Sequence, residues 1–263
     1  MPRETVNDTT LNYERRGKGS PILILHDGLL DSGAWAAVAE KLAETNEVIA
    51  YDRRGYGTSA APKSEYSNLK DLRALVGALE LGPVTLLACS MGGALAVDFA
   101  LQYPKMVTKL ILVGAVINGF PYSDHMNGRN RENWRPLAEC GVVKACIRAW
   151  SEDPYLINGI SGETRGEFYR LLCAHYGNIT NDPRLIQDDA VGACARLGEI
   201  GVPTLVIAGE GDIPDVHAQA GILEHGIRGA RRVIMRDCGH LPYFERPAVF
   251  AETIRDFLAA PVA

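Results

Sequence analysis

Short apolar runs of strand length alternate along this chain with longer stretches whose apolar residues recur at helical spacing. The runs are Leu11–Glu14, Pro21–His26, Glu47–Tyr51, Val84–Cys89, Leu110–Val113, Thr204–Ala208 and Arg232–Met235. Between them lie Trp35–Ala43, Leu69–Leu79, Ala94–Gln102 and Phe250–Leu258. In the second of these, Leu69, Leu72, Leu75, Val76 and Leu79 fall on one face at spacings of three and four. Such alternation predicts an α/β chain: a mostly parallel sheet with helices on both faces. The first pair of runs, Leu11–Glu14 and Pro21–His26, precedes the alternation and is expected to form an antiparallel edge.

From residue 117 to 196 the character changes. Strand-type runs vanish, and Trp134, Trp150, Tyr155, Phe168 and Tyr169 mix with charged residues at helical spacing. The expected organisation is a core made of 1–116 and 197–263, with 117–196 inserted as a helical unit. A chain of 263 residues is long enough for this. The net charge of −5 argues against a nucleic-acid partner, and the pairs Arg15-Arg16, Arg53-Arg54 and Arg231-Arg232 are too short to form a phosphate-binding patch. Six cysteines show no C-x-x-C or metal-finger spacing. They are expected to be reduced, with Cys89, Cys173 and Cys238 filling space as small hydrophobes. The first residues contain no apolar stretch of a secretory signal, and no run approaches the roughly 18 apolar residues of a membrane span. The expectation is a cytoplasmic protein that binds neither membrane nor nucleic acid. With no cluster at metal-ligand spacing, neither metal nor cofactor is expected.

The run Val84-Thr-Leu-Leu-Ala-Cys89 leads through Ser90-Met91-Gly92-Gly93 into the helical pattern Ala94–Ala100. Strand, tight turn and helix expose the hydroxyl of Ser90 above a sheet, and the small residues at 88, 92 and 93 let strand and helix approach. This arrangement resembles the nucleophile elbow G-x-S-x-G of the α/β-hydrolases, with Ala88 in place of the first glycine. Near the C-terminus, Gly239-His240-Leu241-Pro242 and Glu245-Arg246-Pro247 are similar to that family's G-H-x-P…E-x-P segment. Gly209-Glu210-Gly211-Asp212, after the run Thr204–Ala208, matches its strand-G-x-x-D pattern, with Asp215 and Glu210 as competing carboxylates. The resemblance implies an eight-stranded-type sheet and a helical cap at 117–196. It also implies a catalytic set of Ser90, Asp212 and His240, in the chain order that fold uses.

A serine needs a base to take its proton, and the base needs an orienting acid. Charge developing on a substrate carbonyl oxygen needs two N–H donors. Met91, at a helix N-terminus, is expected to supply one. Gly28, in the loop after Pro21–His26, is expected to supply the other. Asp27 occupies a position where relatives carry glycine; its side chain is expected to point away and bond nearby backbone, since a carboxylate facing an oxyanion would repel it. His26 is read as a support for this loop. Gly28 itself is expected to leave room for a bulkier acyl group. Asp52-Arg53-Arg54-Gly55-Tyr56-Gly57-Thr58-Ser59 is similar to the family's turn after the preceding strand; Arg54 is expected to tie it to neighbouring carbonyls. No G-x-G-x-x-G opens a helix there, so a dinucleotide site is not implied. His125 and His175 fall in the insertion, where a surface or packing role is expected ahead of contact with substrate.

The expected protein is a cofactor-independent serine hydrolase acting on an ester or lactone that has an apolar portion. Two alternatives stay open. One is hydrolysis of a carbon–carbon bond next to a ketone by the same three residues. The other is a ligand-binding receptor or non-hydrolytic lyase on the same fold. An Asp nucleophile, as in haloalkane dehalogenases and epoxide hydrolases, is excluded by Ser90.

Overall fold

The computed structural model describes residues 2–158, 162–188 and 190–260. Strands β1 (Arg3–Val6), β2 (Thr9–Arg16), β3 (Pro21–Leu25), β4 (Glu47–Tyr51), β5 (Val84–Cys89), β6 (Val107–Val113), β7 (Thr204–Gly209) and β8 (Arg231–Met235) form one eight-stranded sheet. Its order is β1-β2-β4-β3-β5-β6-β7-β8. From β4 to β8 every neighbouring pair is parallel. All six residues of β5 and all six of β7 are buried, as parallel strands covered on both faces must be.

The helices are α1 (Ala36–Leu42), α2 (Asn68–Ala78), α3 (Met91–Gln102), α4 (Asp124–Cys140), α5 (Val143–Glu152), α6 (Gly162–Ala174), α7 (Gly177–Thr180), α8 (Ala193–Arg196), α9 (Pro214–Gly226), α10 (Pro242–Glu245) and α11 (Pro247–Ala259). On one face of the sheet, α2, α3 and α9 bury Leu72, Phe99 and Leu223 with Leu23, Leu86 and Leu112. On the other, α1 and α11 bury Val38 and Ile254 with Ile24, Leu87 and Ile111. Neighbours such as Leu86 and Leu87 serve opposite layers, as the two-residue period of a strand requires. Among the described residues no helix is long and apolar enough to cross a membrane.

The antiparallel edge differs from the one expected. Strand β3 does not pair with β2; it lies inside the sheet, parallel to β4 and β5. The edge is β1 with β2, and β2 runs antiparallel to β4. Pro21-Ile-Leu-Ile-Leu25 is apolar toward both faces and needs cover on each. Arg3-Glu-Thr-Val6 buries only Val6, so its exposed polar residues suit an edge.

Helices α4 to α8 lie between β6 and β7 in the chain. Ser123 caps α4, its Oγ accepting from the Met126 N–H, and Gly141 ends the helix at a φ of 65°. Core residue Asp215 accepts from both the N–H and the hydroxyl of Ser123 at 2.7 Å, fixing the start of α4. At α7, Asn178 accepts from the Gly57 N–H and donates to the Leu29 carbonyl.

The turn after β4 is built around carboxylates. Asp52 accepts from the N–H and hydroxyl of Ser32, and from the N–H of Thr58. Arg54 binds both oxygens of Asp71 and also Asp8, not the carbonyls expected of it. All six cysteines are unpaired; Cys173 is exposed and fills no core, whereas Cys146 is buried. The Arg54–Asp71 pair is almost fully buried on both sides. Removing Asp71 leaves the buried Arg54 guanidinium with only the exposed Asp8 carboxylate as its ion-pair partner among the described residues. Asp71→Ala is expected to lower the unfolding free energy by about 3 kcal/mol; a loss under about 1 kcal/mol in urea denaturation contradicts this reading of the turn.

Candidate active site

The end of β5 turns sharply into α3 at Ser90, whose backbone sits at φ 52°, ψ −117°. A non-glycine residue at positive φ is strained, and the surrounding hydrogen bonds hold it there. Ser90 N–H donates to the Val113 carbonyl, and its own carbonyl accepts from Ala94 and Val116. Glycine is required at two positions of this turn. A Cβ on Gly92 would stand 2.5 Å from the carbonyl oxygens of Leu25 and His26. One on Gly93 would stand 2.4 Å from the Ala115 Cβ. The tightest approaches fall at 92 and 93, while Ala88 is fully buried in its strand. The missing first glycine of the pattern is thereby absorbed.

His240 follows β8 and is buried; its Nδ1 lies 2.8 Å from Asp212 Oδ1. The same oxygen accepts from the Ile213 N–H at 2.7 Å. Neither competing carboxylate takes this place: Asp215 accepts from Ser123, the residue that caps α4, and Glu210 accepts from the Asp237 N–H at the surface. Burial pushes the His240 imidazole down, but the charge and hydrogen bond of Asp212 together outweigh it, and its pKa ends above the ordinary value. Arg129 also pushes it down and Asp27 pushes it up.

The loop after β3 carries Gly28. Asp27 is among the residues lining the cavity, and both of its carboxylate oxygens are engaged, one of them by nearby backbone as expected. One oxygen accepts from the N–H groups of Leu29 and Leu30, the other from the Tyr243 hydroxyl at 2.7 Å. His26 Nδ1 donates to the Asp27 carbonyl and Nε2 accepts from the Arg53 N–H. Burial holds its pKa well below the usual value, so it stays neutral and supports the loop. Among the described residues neither the Gly28 nor the Met91 N–H has a protein acceptor. The space beside Gly28 is not free, however. The Met91 Sδ lies 2.6 Å from where a Gly28 Cβ would stand, so this side chain fills the room expected for an acyl group.

Ser90, His240, Gly28 and Met91 line one cavity of about 150 Å³. The core supplies Val116, Ile213 and Leu241 to its wall, and α4 and α5 supply Met126, Arg129, Trp134 and Trp150. Neither His125 nor His175 lines it: His125 packs edge-on against Tyr155, and His175 bonds Asp31.

Several supporting residues escaped the sequence reading. Gly114, at φ 49°, leaves room for the imidazole–carboxylate pair; a Cβ there would be 2.9 Å from His240 and 3.1 Å from Asp212. The Tyr155 carbonyl accepts from the His240 N–H. Glu245 accepts from the N–H of Gly239 at 2.6 Å and of Asn158 at 2.8 Å, joining the histidine loop to the insertion. Burial pushes its carboxyl up to about 7, against the pull of those two donors. Glu245 lay within a motif already noted. Gly114 and Tyr155 carried no local signal.

Residues 22–253 match the Alpha/beta hydrolase family. The chain belongs to that family. Among relatives of this α/β-hydrolase, the 2-hydroxy-6-oxo-6-phenylhexa-2,4-dienoate hydrolase of Comamonas testosteroni is 27% identical, over 98% of this chain and 94% of its own. Among solved structures, an N-acyl homoserine lactone degrading enzyme superposes with a TM-score of 0.79 at 27% identity, over 97% of this chain and 100% of its own. An esterase from Exiguobacterium antarcticum superposes with a TM-score of 0.81 at 25% identity, over 98% and 99%.

A base works only when neutral, and Asp212 holds the imidazolium of His240 more firmly than water does. The acid limb of kcat/KM is therefore expected above the free imidazole value of about 6.5. Asp212→Asn should move that limb down as well as lower the rate. A limb at or below pH 6 in the wild type contradicts the role given to the pair.

Proposed function

We propose that this α/β-hydrolase is a cofactor-independent serine hydrolase that cleaves a carboxylic ester or lactone through an acyl-enzyme on Ser90. One observation carries the reading: a serine on a strained strand-to-helix turn shares a cavity with a buried histidine whose far nitrogen is bonded to an aspartate. Ser90 Oγ attacks the carbonyl carbon while His240 Nε2 takes its proton. Asp212 holds Nδ1–H and stabilises the imidazolium. The N–H groups of Gly28 and Met91 receive the oxyanion, aided by the positive end of α3. His240 returns its proton to the leaving oxygen, then draws one from water as that water attacks the acyl carbon. The acid leaves and Ser90 regains its hydrogen.

Residues 117–196 act as a cap in this reading, since α4 and α5 supply the aromatic side of the cavity wall. That wall suits a small substrate with an apolar portion. Six unpaired cysteines support a cytoplasmic setting. The lactone-degrading and esterase structures favour the ester or lactone reading.

A second reading has support of its own. The Comamonas relative is named for a keto-dienoate, which carries no ester, so its hydrolysis breaks a carbon–carbon bond. The same serine, base and oxyanion donors suffice for that reaction.

A panel of p-nitrophenyl esters, simple lactones and a vinylogous diketone, run on wild type and Ser90→Ala, tests the proposal. Esters or lactones should turn over fastest, and the alanine variant should lose about 10⁴-fold or more in kcat. Diketone cleavage outpacing the esters would replace this reading with the second. Undiminished turnover by the variant would remove Ser90 from the reaction and contradict the proposal.

A further inference from the structure

The cavity at Ser90 is small for its task. Sites that hold small molecules enclose roughly 300–1,000 Å³, and this one offers about 150 Å³. A second chamber of about 390 Å³ lies directly beside it. The two share three residues, Gly28, Met91 and Trp134. The Met91 side chain fills the notch that Gly28 leaves by lacking a Cβ, and it is 43% exposed. An unbranched thioether bordered by open space on two sides has several rotamers within reach.

The second chamber has its own chemistry. None of its lining residues is charged. Its amides and hydroxyls are already engaged: Asn178 with Gly57 and Leu29, Thr180 with the Gly177 carbonyl, Asn181 with the Arg54 carbonyl, and Tyr56 with the Gly28 carbonyl. The remaining wall includes Leu137, Ile179 and Ile186. Burying a charge there would be costly, whereas methylene groups would be favoured.

We propose that the second chamber seats a long, uncharged apolar arm of the substrate, and that the Met91 side chain is the partition that swings aside to admit it. This rests on the serine hydrolase reading and adds the substrate class: esters or lactones whose apolar arm reaches past the first cavity. The oxyanion donor at 91 is the backbone N–H, so side-chain changes there leave the donor in place.

The readout is the ratio of kcat/KM for p-nitrophenyl decanoate to that for p-nitrophenyl acetate. Each buried methylene is worth up to roughly fourfold. Ile186→Trp, which narrows the chamber, should lower the ratio by at least about tenfold. Met91→Ala should raise it, and adding Ile186→Trp should cancel the rise. A ratio unmoved by Ile186→Trp in both backgrounds overturns the proposal, because Met91→Ala would then only enlarge the first cavity.

A second arm does not depend on turnover. In Ser90→Ala, undecanone and butanone binding is measured by calorimetry with and without Ile186→Trp. The proposal requires undecanone to weaken by about tenfold or more relative to butanone, and equal effects on both overturn it. Failure of the hydrolase reading looks different: wild type shows no Ser90-dependent turnover of either ester, while the ketone arm still decides the chamber.

Discussion

The approach of one helix end to a neighbouring strand governs this site. At Gly92 the backbone of α3 comes so near β3 that a single Cβ would stand 2.5 Å from two carbonyl oxygens. That contact sets where α3 begins, and it forces Ser90 to absorb the turn at a φ of 52°. Strain of this kind costs about 1–3 kcal/mol, offset by the buried layers on either side of the sheet. The same approach sets the Met91 N–H next to the loop that carries Gly28. The proposed nucleophile and oxyanion donors thus follow from one packing contact.

Around that contact, charge is managed by burial with partners. Asp27 stands in the loop where a free carboxylate could harm an oxyanion, yet two backbone N–H groups and the Tyr243 hydroxyl engage both of its oxygens. Tyr243 is itself stacked on Trp35 with ring centroids 3.7 Å apart. Glu245 draws the histidine loop and the segment ending at Asn158 together through two N–H donors. The proposed base, His240, is therefore oriented both from β8's side of the sheet and from the segment between β6 and β7. A shift of that segment would carry Tyr155 and Asn158 with it, and it would loosen His240.

Much of this was legible in the chain because it is local. An apolar run, a serine and two glycines specify β5, the elbow and α3 within eighteen residues of one another. The residues Asp212 and His240 each follow a recognisable strand, so their order could be read without coordinates. What could not be read depends on distant segments. Strand β1 buries one side chain, too little to mark it. Pro21–Leu25 has the composition of an interior strand, but its partners are chosen by the whole sheet. The fit of Met91 into the notch at Gly28 joins positions 63 apart in the chain, and no pattern around either residue announces it. Gly114 looks like any loop glycine until His240 and Asp212 arrive beside it.

The central claim is that Ser90 carries the acyl group and that His240 puts it there. Rapid-quench mass spectrometry during turnover of a slowly deacylating ester measures this directly. The account predicts one acyl adduct per chain, located on the peptide containing Ser90, and forming orders of magnitude more slowly in His240→Ala. An adduct on another residue, or full turnover with no adduct at any time point, would contradict it.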